Sequence, residues 1–261
     1  MKSLVLMFLL LIVLVGISVW AQPITYPSST PGLLSKTPTL SSKNNTQQVS
    51  LGFKVASAEQ VEFFNQYSQP QDTIAVGIKE VGLLKNAKTQ NKSLIYGGEI
   101  STDEAIAAAK ANNIQVIFFN KEKTRSAEEL AQAEKEAYGK VKAAGLTFGF
   151  APTGRMLAAY YQSFVYDADI IGYQTQSIQT EPNYDQTVKD LIGKMKALNP
   201  KIEVWAQVSV NPPGDRTITA DKVITNINSL AGVVDQIKIF FNQQPDRVAV
   251  MEEVFKNARS N

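Results

Sequence analysis

From Val49 onward the chain alternates short β-like runs with helical ones eight times over, and this alternation restricts the fold more than any other feature. The strand candidates are Leu51 to Val55, Thr73 to Lys79, Ser93 to Glu99, Gln115 to Asn120, Leu146 to Ala151, Asp169 to Gln176, Glu203 to Asn211 and Gln236 to Asn242. Between them apolar residues recur at three and four, as in Val61, Phe64 and Tyr67, in Leu130, Ala137 and Val141, and in Val223, Ile224, Ile227 and Leu230. Ser101-x-x-Glu104 and Ser126-x-x-Glu129 read as capping boxes, and Thr219 reads as an N-cap. The stretch Leu83 to Lys92 is short and polar for a helix.

Such a chain can close into a (β/α)8 TIM-type barrel or open into a doubly wound sheet. Central strands of an open sheet are covered on both sides and should be apolar on both faces. Here the run Glu203 to Asn211 sets Val204, Ala206, Val208 and Val210 against Trp205, Gln207, Ser209 and Asn211. Thr73 to Lys79 repeats the pattern, with Ile74, Val76 and Ile78 opposite Ala75, Gly77 and Lys79. The aliphatic face belongs under helices and the mixed face inside a barrel. No Gly-x-Gly-x-x-Gly or Walker-type loop is present, which argues against a nucleotide-binding sheet.

The expected organisation is a signal peptide over 1–21, a Ser/Thr/Pro-rich flexible linker over 22–48 and a small barrel domain over 49–261. Lys2 precedes an apolar run from Leu4 to Val15, and Val19-Trp20-Ala21 resembles a cleavage site; an uncleaved membrane anchor over 4–21 is the alternative. Pro23, Pro27, Pro31 and Pro38 lie among serines and threonines without hydrophobic periodicity. The barrel is then expected outside the cytoplasm, secreted or on the surface.

The 261 residues contain no histidine and no cysteine, so no imidazole base, thiolate, disulfide or usual transition-metal ligand set is available, and no metal or cofactor is expected. A net charge of +2 with interspersed signs gives no nucleic-acid stripe. Chemistry falls to carboxylates, lysines, hydroxyls, amides and aromatics. The period-2 rule puts Lys79, Glu99, Asn120, Gln174, Gln176, Gln207, Ser209, Asn211, Lys238 and Asn242 at inward, C-terminal positions, with Trp205 and Phe240 deeper. This amide-rich set suits a neutral polyhydroxyl ligand such as a glycan, and Trp205, Tyr173, Tyr160 and Tyr161 offer stacking surfaces. Amides at a barrel mouth can equally satisfy one another and the loop backbone. The loops Ser177 to Asn183 and Pro212 to Ile218 should wall one side.

In architecture the chain resembles exported barrel glycoside hydrolases. Locally, Ala168-Asp169 through Gln174-Thr175-Gln176, then Asn199-Pro200 and Asn211-Pro212, is similar to a pattern in exported bacterial barrel proteins, a likeness that implies no particular activity. Glycoside hydrolysis uses two carboxyl groups facing each other across the scissile bond, whereas Asn120, Gln176 and Asn211 stand at the ends of the fourth, sixth and seventh strands. The catalytic candidates are Glu99 as acid/base with Asp215 as partner and Glu80 in reserve. Each has a structural alternative: an ion pair of Glu99 with Lys79, a solvated Glu80, a turn held by Asp215. Lys238 admits a lysine-dependent aldolase as a minor alternative. The leading expectation is a barrel that binds or hydrolyses a glycan, and the rival is a non-catalytic interaction domain on a stalk.

Overall fold

In the computed structural model of the chain, which describes residues 49–120 and 126–259, eight parallel strands close into a barrel in sequence order. The strands are β1 (Leu51–Lys54), β2 (Thr73–Gly77), β3 (Lys92–Tyr96), β4 (Val116–Phe119), β5 (Thr147–Phe150), β6 (Ile170–Gln174), β7 (Glu203–Ser209) and β8 (Gln236–Phe240). The helices are α1 (Ala58–Tyr67), α2 (Thr102–Ala111), α3 (Ala127–Ala143), α4 (Gly154–Phe164), α5 (Tyr184–Leu198), α6 (Ala220–Leu230) and α7 (Pro245–Asn257). The (β/α)8 barrel expected from the alternation is the fold observed. The signal and linker segments lie outside the described residues, and no described helix is long and apolar enough to cross a membrane.

Local chemistry sets the helix starts. The hydroxyls of Ser101, Ser126 and Thr219 accept from the backbone N–H of Glu104, Glu129 and Lys222 at 3.2, 3.1 and 3.4 Å, and Ser57 and Thr153 cap α1 and α4 in the same way. After β2 no α-helix forms. A 3-10 helix, Ile78–Asn86, takes its place, and its three-residue turn stacks Ile78, Val81 and Leu84 on one side against the core.

Two apolar clusters divide the interior. The larger lies between barrel and helices and takes Val204, Ala206 and Val208 of β7, Ile74 and Val76 of β2, and the buried stripes of the helices. The smaller lies inside the barrel and consists of Phe118, Ile170 and Trp205 with Ile95, Val116 and Ala151 packed on it. The alternation of β7 therefore sorts as the sequence predicts.

The N-terminal rim is held by a repeated device. Asp72, Asp169 and Asp235 stand immediately before β2, β6 and β8, and each accepts from the backbone N–H of Leu51, Phe148 and Val204 on the preceding strand, at 2.9, 2.9 and 2.8 Å. A cation follows each: Arg259 at 2.5 Å, Lys142 at 3.0 Å and Lys196 at 3.1 Å. The Arg259–Asp72 pair is buried, whereas the two lysine pairs are open to solvent. Breaking a buried pair strands a charge, while an exposed pair contributes little. Replacing Arg259 by Met should therefore cost about 3 kcal/mol, and Lys142→Met less than about 1 kcal/mol, as read by denaturant titration at neutral pH.

The inward stripe of α3 is Ala127, Leu130, Glu134, Ala137 and Val141, with a carboxyl group in its middle. Glu134 is fully buried and neither carboxyl oxygen has a hydrogen-bond partner, so burial, with Asp167 adding repulsion, pushes its pKa up to about 10. Folding then retains a proton that the unfolded chain releases above its ordinary value of 4.5. The contribution to stability is whole below that pH and declines as the pH rises toward 10. The melting temperature of Glu134→Met relative to the parent should rise steadily from pH 5 to pH 9; a constant difference would contradict a buried, protonated carboxyl.

Candidate functional site

The strands are shorter at their C-terminal ends than the hydrophobic pattern predicts, and this decides which side chains reach the barrel mouth. β2, β3, β6, β7 and β8 end at Gly77, Tyr96, Gln174, Ser209 and Phe240, so the following residues escape the period-2 rule. Glu99 is the main casualty. It stands three residues past β3 in an exposed turn beside Gly98, whose φ is +64°. Lys79 is carried outward on the 3-10 helix and is exposed, and no ion pair joins it to Glu99 among the described residues.

Inside the mouth is a pocket of about 250 Å³. Six of the residues expected there line it: Asn120, Gln174, Gln176, Trp205, Gln207 and Lys238. Lys54, Ala75, Ile95, Phe118, Ala151, Gly172, Ile239 and Phe240 complete the wall. Phe240 sits at the rim, 46% exposed, rather than deep, because β8 ends with it. Lys54 was legible in principle, since it alternates with Gly52 against outward Leu51 and Phe53; Phe118 was hidden in an all-apolar run whose parity only Asn120 reveals.

The pocket exists because the barrel interior is filled from one side. The rings of Phe118 and Trp205 meet at 5.0 Å between centroids, tilted by 45°. Phe118 lies flush against Gly149 of β5, where a Cβ would stand 2.5 Å from Cδ1 of the ring, so only glycine admits it. Trp205 donates its indole N–H to Glu203 at 3.2 Å. Above these rings are the amides. Gln174 donates to the Ala151 carbonyl at 3.1 Å and accepts from Gln176 at 3.4 Å, while Gln176 Oε1 is buried without a partner. Lys238 has its Nζ 4.7 Å from the Trp205 centroid, buried and without a hydrogen-bond partner, and burial pulls its pKa down to about 7 despite the opposing charge of Asp72.

A second hollow of about 280 Å³ adjoins the first and shares Lys54, Ile95 and Asn120 with it; Lys79 and Glu80 line its outer part. Glu80 is thus the catalytic candidate nearest the mouth, with its Oε2 and Lys54 Nζ both lying over Gly77. Asp215 is elsewhere, accepting from the N–H and hydroxyl of Thr217 at 3.1 and 3.0 Å, which is the turn-holding role. Ser209 and Asn211 bond each other, with Ser209 Oγ accepting from the Asn211 N–H at 3.1 Å, and neither these two nor Asn242 line either hollow. The geometry does not bring Glu99, Asp215 and Glu80 together. No carboxylate lines the first pocket among the described residues, and no group of three or more acidic side chains there could hold a metal ion.

The tyrosines expected to stack are not at the mouth. Tyr173 alternates with inward Gly172 and Gln174, faces the helices and is buried there, which raises its hydroxyl pKa to about 12. Tyr160 and Tyr161 lie on the outer ring, in α4. The loop after β6 is pinned to β7: Gln179 donates to the Ser209 carbonyl at 2.9 Å and accepts its N–H at 2.7 Å, and Thr175 donates to the Gln207 carbonyl at 2.8 Å. Arg247 ties the loop after β7 through the carbonyls of Val210 and Arg216. Apart from Gln176, which precedes the first of them, these loops contribute nothing to the pocket wall.

No family model matches the chain, and no curated protein matches it. Among solved structures it is similar to the active domain 2 of a thermostable chitinase from Pyrococcus furiosus, at 9% identity and a TM-score of 0.54, over 74% of this chain and 83% of that one. The likeness is one of fold, the (β/α)8 barrel.

Lys238 also leaves a mark on stability. Its folded pKa of about 7 lies below the ordinary 10.5, so the unfolded chain holds a proton that the folded chain lacks between those values. Stability from this group is whole above 10.5 and is lost as the pH falls toward 7. Lys238→Met should therefore raise the melting temperature most at pH 6 and progressively less toward pH 10, the reverse of the trend at Glu134.

Proposed function

We propose that this barrel binds the terminal sugar of a glycan in the pocket at its mouth, and binds it without hydrolysing it. The observation that carries the reading is the composition of the wall. Four amide side chains, Asn120, Gln174, Gln176 and Gln207, surround a floor made by Phe118 and Trp205. Amides present paired donors and acceptors to hydroxyl groups, and aromatic faces pack against the C–H face of a sugar ring. A volume of about 250 Å³ is below the usual range for drug-sized ligands and suits one ring rather than a long chain.

The structural likeness to a chitinase domain supports a carbohydrate ligand, since that protein was studied with chito-oligosaccharides. Hydrolysis needs an acid and a second carboxyl group some 5 to 10 Å apart, roughly. Glu80 at the edge of the second hollow has no such partner among the described residues lining either hollow. The N-terminal segment would present the barrel outside the cytoplasm, where glycans are available.

The test is a glycan array followed by calorimetry on the hits, with release of reducing sugar measured in parallel. Binding should be detectable and reducing-sugar release absent. Gln207→Ala, which removes a pair of hydrogen-bonding groups, should weaken binding by roughly tenfold. Hydrolysis that disappears in Glu80→Gln would overturn the non-catalytic reading, and the failure of every glycan to bind would overturn the carbohydrate reading.

A further inference from the structure

The carbohydrate reading leaves Lys238 without a task. Its amine is enclosed on one side by the Trp205 ring and on the other by Gly52, whose absent Cβ would stand 3.0 Å from Nζ. A larger residue at position 52 would meet the Thr73 carbonyl oxygen at 2.5 Å as well as the lysine. An amine held this way has lost its water without gaining an anion, and a purely structural residue at this place would be better as a methionine or leucine. The chain keeps a costly group in a pocket wall, and that calls for a ligand.

The ionisable groups around it narrow the ligand's chemistry. β1 contributes Lys54, a second and exposed amine lining the same pocket, and the 3-10 helix brings the Glu80 carboxylate over Gly77 beside it. Asp72, below the start of β2, is already taken by Arg259 and two backbone N–H groups. Glu203 of β7 is exposed at the other end of Trp205 and accepts its indole N–H. From β3 to β6 the inner cluster and the pocket wall receive Ile95, Val116, Phe118, Ala151, Ile170, Gly172 and Gln174, none of them ionisable. Among the described residues the first pocket is therefore lined by two amines and no carboxylate; Glu80 lies beside Lys54 in the adjoining hollow, and Lys238 is the amine without a partner.

We propose that the sugar bound here is acidic, and that its carboxylate is received by Lys238 and Lys54 while the amides hold its hydroxyl groups. The polyhydroxyl part of this proposal rests on the carbohydrate reading above; the carboxylate part rests on the two amines. It departs from the neutral ligand that the amides alone suggest. A carboxylate against Nζ favours the charged amine, so binding above pH 7 draws a proton from solution. Affinity should be level from pH 5 to 7 and then fall by roughly tenfold per pH unit, until the pKa of the liganded amine is reached.

Calorimetry on the full chain with glucuronic acid, glucose and acetate tests this, at pH 6 and pH 8 in two buffers of different ionisation enthalpy. Glucuronic acid should bind at least roughly tenfold more tightly than glucose at pH 6, and at pH 8 the two buffers should report uptake of close to one proton. Lys238→Met, checked for folding by circular dichroism, should abolish both the acid preference and the proton uptake; Lys54→Met should reduce the preference and leave the uptake. Equal binding of glucose and glucuronic acid, or an acid preference that survives Lys238→Met, overturns the carboxylate proposal and leaves the carbohydrate reading standing. Acetate binding as tightly as glucuronic acid overturns the carbohydrate reading and leaves the amine–carboxylate pairing. Absence of binding by all three overturns both.

Discussion

The contact on which the pocket depends is the packing of Phe118 against Trp205 over a floor of glycine. A small barrel normally fills its interior with layers of branched side chains contributed evenly by alternate strands. Here β4 and β7 supply two large rings, while β1, β2, β5 and β6 turn Gly52, Ala75, Gly149 and Gly172 inward. Bulk is concentrated low in the barrel and space is left above it. The same arrangement lays the stem of Lys238 beside Gly52 and its amine beside the Trp205 ring.

The carboxyl groups of the described residues are kept out of the first pocket. Acid catalysis across a glycosidic bond depends on carboxyl groups brought to opposite sides of one cavity. Of the carboxylates discussed, Asp72, Asp169 and Asp235 go to the opposite rim, Asp215 to a turn, Glu99 to an exposed loop and Glu134 to the helix layer, while Glu80 lines the adjoining hollow. Among the described residues, the first pocket is faced by amides, amines, aromatic rings and small aliphatic groups.

The fold was legible because β7 and β2 alternate cleanly, and alternation reports directly on which face meets helices and which meets the barrel axis. The site was legible as far as the ladder extends. Asn120 lies one residue past β4, so the period still places it correctly; Glu99 lies three past β3, where Gly98 turns the chain through a left-handed conformation and the period ends. The apolar run from Ser93 ends at Tyr96, and the turn signal Gly97-Gly98 marks that end, so carrying the strand on to Glu99 overruns a legible stop. Glu134 escaped notice for the opposite reason. It occupies a heptad-like position between Leu130 and Ala137, but a carboxylate at such a place reads as solvent-facing until the neighbouring helices are seen to cover it.

The three aspartates at the N-terminal rim join β1 to β2, β5 to β6 and β7 to β8, each reaching sideways to the first or second amide of the strand before it. At the fourth equivalent position, before β4, stands Gln115. The register of this barrel is thus inherited in couples rather than passed around the whole ring. A slip by one residue at a clamped seam would take the carboxylate away from its amide, while the seam between β3 and β4 has no such latch. The clamp is local to each couple, and at β2–β3, β3–β4, β4–β5 and β6–β7 the register rests on the backbone ladder.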